Sequence, residues 1–201
     1  DLNPDTEHSF DIRAVNSVGK ISHASERRTI FVPGLANDIV VQNDGNDTNC
    51  KACEGDMTCN FPCQTLRRAF QLANTTGQRI KIMPGTYTAR NLIPKVAMVK
   101  VEANTSSTVT IMCGNNTRCF STNMTQIQKN DGTQEPLAYF PYLLKGLYIH
   151  GGKATLGGCI NIYGASRVKI LDTSFENCYA SESGGAIFIK ASSQIYFKQV
   201  Q

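Results

Sequence analysis

The residues of this 201-residue chain whose types and spacing could do chemistry are eight cysteines and five Asn-x-Ser/Thr triplets. The cysteines fall in local groups: Cys50, Cys53, Cys59 and Cys63, then Cys113 and Cys119, then Cys159 and Cys178. An even count in tight groups suits oxidation to disulfides in an oxidising compartment. Zinc held by the first four is the rival reading. Their C-x2-C-x5-C-x3-C spacing lacks the paired C-x2-C knuckles of most structural zinc sites, so disulfides are favoured. The triplets begin at Asn46, Asn74, Asn104, Asn115 and Asn123. Chance supplies one such triplet. Five between positions 46 and 123, beside eight cysteines, point to N-glycosylation, the secretory pathway and an extracellular or cell-surface location.

Other groups offer less. His150 stands alone in Ile149-His-Gly-Gly152 and is expected to be a solvated turn residue. Asp44-Gly-Asn-Asp47 has some flavour of a calcium loop, but lacks the Asp-x-Asp-x-Asp-Gly spacing and the distal bidentate Glu. A sugar on Asn46 would compete with a cation there, so a turn is expected. No metal site, cofactor site or catalytic residue is assigned. The net charge of +4 comes from basic residues that are scattered, apart from Arg27-Arg28 and Arg67-Arg68. Without a basic stripe, nucleic acid is not an expected partner. No run approaches the ~18 apolar residues of a membrane-spanning helix, and no membrane contact is expected of this segment.

The elements that must position these residues are read from internal repetition. Gly157-Gly-Cys-Ile-Asn-Ile recurs as Gly184-Gly-Ala-Ile-Phe-Ile, a period of 27. Val168 and Ile170 then fall on Ile195 and Phe197, and residues 144–158 align with 171–185 without a gap. Each unit holds short runs of alternating apolar residues separated by Gly, Ser, Asn and Asp, which is strand periodicity. One such unit cannot bury its own apolar face. Units stacked about 4.8 Å apart make a continuous core and a parallel sheet. The Gly-Gly corner lets the backbone turn where a Cβ would clash. Sixteen glycines and no tryptophan agree with a turn-rich all-β fold. Ahead of the repeats, Leu66, Ala69, Phe70 and Ala73 share a helical face with Thr65 as N-cap, which predicts a short capping helix over the first coil.

That helix, with Thr65-Leu66, Ala69 and Ala73, then Arg79-Ile-Lys-Ile-Met-Pro-Gly-Thr-Tyr87 and Val99-Lys-Val-Glu-Ala-Asn104, resembles the start of pectin-lyase-like right-handed parallel β-helix proteins. Gly184-Gly-Ala-Ile187 and Phe175-Glu-Asn177 resemble the repeats of chlamydial polymorphic outer-membrane proteins. Here Cys178 takes the final Asn position, and the preceding coil has Tyr148 and Gly151 in place of Phe and Asn. The resemblance implies a right-handed parallel β-helix, and with it the possibility of a polysaccharide lyase or glycoside hydrolase. Acid/base hydrolysis needs carboxylates on neighbouring coils. At the 27-residue offset Asp172 falls on Lys145, Glu176 on Ile149 and Glu182 on Thr155, so no pair is expected in coils 143–201. Arg79-Ile-Lys81 mimics a polygalacturonase substrate-binding triplet, but precedes the coils and follows no Gly-His-Gly. Tyr163 and Tyr196 differ in coil position, so they form no aromatic ladder of the kind a carbohydrate-binding module uses.

Residues 8–32 resemble the last two strands of a fibronectin type III domain, with Phe10, Ile12 and Ala14 alternating, Asn16 to Lys20 as a turn and Thr29 to Val32 as the return. Phe10 stands near that family's usual tyrosine. The organisation expected is therefore a strand pair over 1–35, a disulfide-rich junction over 36–64 and a capped β-helix over 65–201. Asp1-Leu2-Asn3-Pro4 is no leader, which implies a processed protein or a fragment, and the uncapped strand at 194–201 favours a fragment of a chain continuing beyond 201. Residues 113–143 read as a polar loop with two triplets and a Cys113–Cys119 staple, either a contact for other copies or extracellular proteins or simply a solvated loop. The function expected is a non-catalytic structural or adhesive extracellular glycoprotein: a surface adhesin or a filament or appendage subunit. A glycan is a possible ligand. A carbohydrate-active enzyme and a carbohydrate-binding module are the alternatives.

Overall fold

The computed structural model describes residues 6–10, 15, 18–20, 28–32, 38–53, 59–74, 78–94, 99–104, 108–114, 116–124, 127–128, 134–135, 141–164, 167–190 and 193–200. The chain divides into two units, Asp1–Ala36 and Asn37–Gln201. In the first, strands Thr6–Phe10 and Arg28–Val32 pair antiparallel, with Thr6 opposite Val32 and Phe10 opposite Arg28. Ile12 and Ala14 lie outside the described residues.

The second unit is a right-handed parallel β-helix. Its first sheet has six strands in the spatial order Ile39–Val41, Arg79–Ile82, Lys100–Ala103, Pro141–Lys145, Arg167–Leu171 and Gln194–Lys198. A second sheet stacks Gly85–Ala89, Val109–Cys113, Leu147–His150 and Ser174–Glu176. A third stacks Phe120–Met124, Ile160–Gly164 and Ile187–Ile189. Alternation decides which residues fill the core. Ile39, Ile80, Val101, Leu144 and Ile170 are register partners on successive strands of the first sheet, and all are fully buried. Burying each such side chain contributes about 1.5–3 kcal/mol before chain entropy is counted. Tyr87, Ile111 and Ile149 form the matching column in the second sheet.

The period is not uniform, which corrects the gapless 27-residue alignment. Leu144 pairs with Ile170 and Tyr148 with Ser174, an offset of 26, whereas Ile160 pairs with Ile187 and Val168 with Ile195, an offset of 27. The extra residue enters at a bulge between the strands Lys153–Leu156 and Tyr179–Ser183, where Ala154 pairs with Ala180 but Leu156 with Ser183. A one-residue slip exchanges the two faces of a strand. Leu144 is buried and its sequence-aligned mate Leu171 is only half-buried; the true partner, Ile170, points inward.

The Gly-Gly corner is needed as its sequence suggests. Gly157 has φ +58°, and a Cβ there would overlap the Ile160 carbonyl oxygen; a Cβ on Gly158 would meet Tyr179 and Gly185 backbone atoms.

The helix Leu66–Leu72 closes one end of the core. Thr65 Oγ1 accepts from the Arg68 backbone N–H at 3.2 Å, as an N-cap should, and Leu66, Ala69, Phe70 and Ala73 are buried. Phe70 packs on Phe120 with ring centroids 6.2 Å apart. The segment 36–64 differs from the expected junction, because it supplies the strand Ile39–Val41 of the first sheet. Three residues are too few to display a period, yet Ile39 and Val41 are both fully buried.

Candidate functional site

The eight cysteines form four disulfides: Cys50–Cys63, Cys53–Cys59, Cys113–Cys119 and Cys159–Cys178. The first two close loops within the segment before the helix, and that segment joins the first strand through the backbone bridge between Val41 and Cys63. Cys113–Cys119 closes a corner within one coil and Cys159–Cys178 joins one coil to the next, and the Cys113 and Cys159 sulfurs lie 3.6 Å apart in the core.

The outer face of the first sheet carries a cleft of about 430 Å³ lined by Arg79, Lys81, Glu102, Asn104, Lys145 and Asp172, with Ala103 and Gly146 at its floor. Strand alternation puts Arg79 and Lys81 outside because Ile80 and Ile82 point in. Asp38 holds both. Its carboxylate accepts from Arg79 Nε at 2.8 Å and Nη2 at 2.7 Å, and lies 2.7 Å from Lys81 Nζ. Partial burial pushes the Asp38 carboxyl upward, but the hydrogen bonds and charges of Arg79 and Lys81 outweigh it and hold it below the ordinary carboxylate range. Arg79-Ile-Lys81 is thus an internal ion cluster at the cleft wall. Glu102 pairs in register with Lys145, and Lys145 with Leu171, next to Asp172. The cleft therefore brings together two carboxylates, Glu102 and Asp172, which alignment of the later coils alone could not reveal.

The 26-residue offset also repositions the other acids. Glu176 pairs with His150 rather than Ile149, and its Oε2 lies 3.6 Å from His150 Nδ1. His150 is half-buried and stacks on Tyr148, with centroids 6.1 Å apart, so it is not the solitary solvated residue expected from sequence.

A second, polar groove of about 510 Å³ is lined by Asn91, Arg118, Asn161 and Tyr163 among others. Asn161 Oδ1 is buried there without a hydrogen-bond partner, and Lys190 Nζ sits 5.9 Å from the Tyr163 ring centroid. Asn123, an expected glycan site, pairs in register with Tyr163. Tyr196 lies on another sheet, Gln194–Lys198.

Asp44-Gly-Asn-Asp47 folds as a turn whose polar groups bond to protein partners, several of them in the segment before the helix. Asp47 accepts from the Gln64 and Thr65 backbone N–H groups at 2.8 and 2.9 Å and from Thr65 Oγ1 at 2.6 Å, fixing the helix start. Asn46 Oδ1 accepts from Thr48 N–H at 2.9 Å. Of the expected glycan sites, Asn46 and Asn74 are exposed and Asn104 is half-buried with Nδ2 3.1 Å from Met83 Sδ. Asn115 lies outside the described residues. The segment 113–143 is not one loop: Phe120–Met124 is a strand of the third sheet, and Ile127–Gln128 pairs antiparallel with Gln134–Glu135. Polar Ser121 and Thr122 disguise that strand, although both are buried.

No family profile matches the chain. No curated protein matches it. Among solved structures it is similar to the Family 28 exopolygalacturonase of Yersinia enterocolitica, at 12% identity and a TM-score of 0.35, over 99% of this chain and 54% of that one. The chain spans about half the length of that protein.

Proposed function

We propose that the chain is a non-catalytic structural or adhesive segment of an extracellular glycoprotein. The observation that carries this reading is the stacking of disulfides Cys113–Cys119 and Cys159–Cys178 inside a parallel β-helix. Disulfides persist in oxidising compartments, and five glycosylation triplets accompany them. A coil stack of this kind is stiff along its axis and offers long flat sheets for contact. Negative-stain electron microscopy of the protein from its source, glycans intact, tests the proposal. Ordered fibres or surface arrays support it; compact monodisperse particles without surface retention overturn the structural version.

The cleft favours a second reading. Glu102 and Asp172 beside Lys81 and Lys145 form the kind of mixed-charge site that a glycoside hydrolase acting on an anionic glycan needs. Depolymerisation of such a glycan, lost in E102Q or D172N, would replace the non-catalytic reading.

A further inference from the structure

The register gathers cations that the sequence scatters. One outward row of the first sheet runs Arg79, Lys100, Leu143, Lys169, Tyr196 across five successive strands. The neighbouring row runs Lys81, Glu102, Lys145, Leu171, Lys198. Six of these ten positions are cationic and one is anionic. Asp38 engages Arg79 and Lys81, but among the described residues no carboxylate lies within ion-pair distance of Lys100, Lys145, Lys169 or Lys198.

Ordinary roles for lysine in a sheet do not account for this. Lysines that guard against aggregation stand on edge strands. Lys100, Lys145 and Lys169 stand on interior strands. Lysines that serve solubility are interspersed with acids. Unlike Arg79 and Lys81, which Asp38 ties into the fold, Lys100, Lys145 and Lys169 join no ion pair among the described residues that would account for their charge.

A polyanion accounts for it. Positions in one row recur at the strand spacing of about 4.8 Å along the coil axis, so Lys100 and Lys169, and Lys145 and Lys198, two strands apart, stand about 9.6 Å from each other, and the two rows lie about 7 Å apart, two residues along a strand. That spacing fits an extended polysaccharide laid along the axis with anions on both of its edges. The cations without a carboxylate are lysines, point charges that attract any anion, and sulfate groups, strong acids that stay ionised, give an extended polysaccharide the densest charge to meet them. Tyr196, more than half exposed, and Leu143 offer apolar surface to sugar rings.

We infer that the outer face of the first sheet, centred on Lys100, Lys145 and Lys169, binds a linear sulfated polysaccharide running along the coil axis. The inference rests on the extracellular adhesive reading, since it names that face's ligand. The test is binding of the glycosylated protein to an immobilised heparin-type glycan over a salt series. The variant K100Q/K145Q/K169Q is expected to lose roughly tenfold or more in affinity, with the log–log salt slope falling by about 3, one per lysine removed. The control K153Q/K190Q, off the first sheet, keeps wild-type affinity. Lys145 and Lys169 are exposed and Lys100 is half-buried, and unchanged circular dichroism verifies that the Gln variant keeps the fold. No wild-type binding, an unaffected triple variant, equal loss in the control, or equal binding to desulfated glycan or duplex DNA at the same salt overturns the inference. Cleavage of the glycan would instead overturn the non-catalytic reading and leave the binding face standing.

Discussion

The sulfur of Cys113 lies 3.6 Å from the sulfur of Cys159, although 46 positions separate them in the chain. Each belongs to its own disulfide, so the contact stacks one covalent staple on the next. Stability then depends on loop closure as well as on the apolar column. Cys159–Cys178 closes 19 residues of separation and Cys53–Cys59 closes 6. On the chain-entropy account, C159A/C178A costs about 3 kcal/mol and C53A/C59A about 2 kcal/mol. Non-reducing guanidinium unfolding measures both, and equal midpoints for the two variants and wild type would refute the account.

Asp38 links the first two strands of the first sheet through Arg79 and Lys81. Its folded pKa lies below the ordinary 3.8. A carboxyl depressed by folding contributes stability above its unfolded pKa, and that contribution fades as pH falls through the folded value. Discounted for the partly exposed partners, D38N is expected to cost about 1–2 kcal/mol at pH 7 and much less below pH ~3. Urea midpoints across that range check the sign; a penalty that grows towards acid contradicts it.

Tyr142 is buried beside Phe120, with ring centroids 6.5 Å apart, and its hydroxyl has no hydrogen-bond partner among the described residues. Burial raises its pKa well above the ordinary phenol value, so the neutral form is the one buried. Removing an unsatisfied hydroxyl while keeping the ring is expected to stabilise: Y142F should gain about 1 kcal/mol in denaturant unfolding. A loss would indicate a hydrogen bond to that oxygen.

The two Gly-Gly corners are unequal. A Cβ on Gly158 collides with Tyr179 and Gly185 backbone, whereas a Cβ on Gly185 meets nothing within 4 Å. G158A should therefore cost about 3 kcal/mol or more, through collision, and G185A less, about 1–2 kcal/mol, through the strain of a side chain at φ +25°, measured as thermal unfolding.

Glycan occupancy should follow exposure. Asn46 and Asn74 are exposed, while Asn104 is half-buried against Met83 at the rim of the charged cleft. Peptide mapping is expected to show Asn46 and Asn74 occupied more fully than Asn104.

Much of the fold was legible. Thr65 and the Leu66, Ala69, Phe70, Ala73 face marked the helix, because capping chemistry and a 3.6-residue period are local. The repeated Gly-Gly corner marked the coils, because a crowded backbone leaves glycine no substitute there. Ile39–Val41 was hidden by its brevity, and Phe120–Met124 by the polar Ser121 and Thr122 that it buries.

By itself, then, the sequence determined the parallel stacking, the capping helix and the local grouping of cysteines, all set by short-range periodicity and steric demand. Only the tertiary structure decided register. A single bulge near Ala154 separates an offset of 26 before it from one of 27 after it. Because side chains alternate at every residue, that slip decides that Glu176 meets His150, that Asp172 joins Glu102 in one cleft, and that lysines far apart in the chain share one face. Which residues become neighbours across coils is a sum over every turn between them, and no local pattern records that sum.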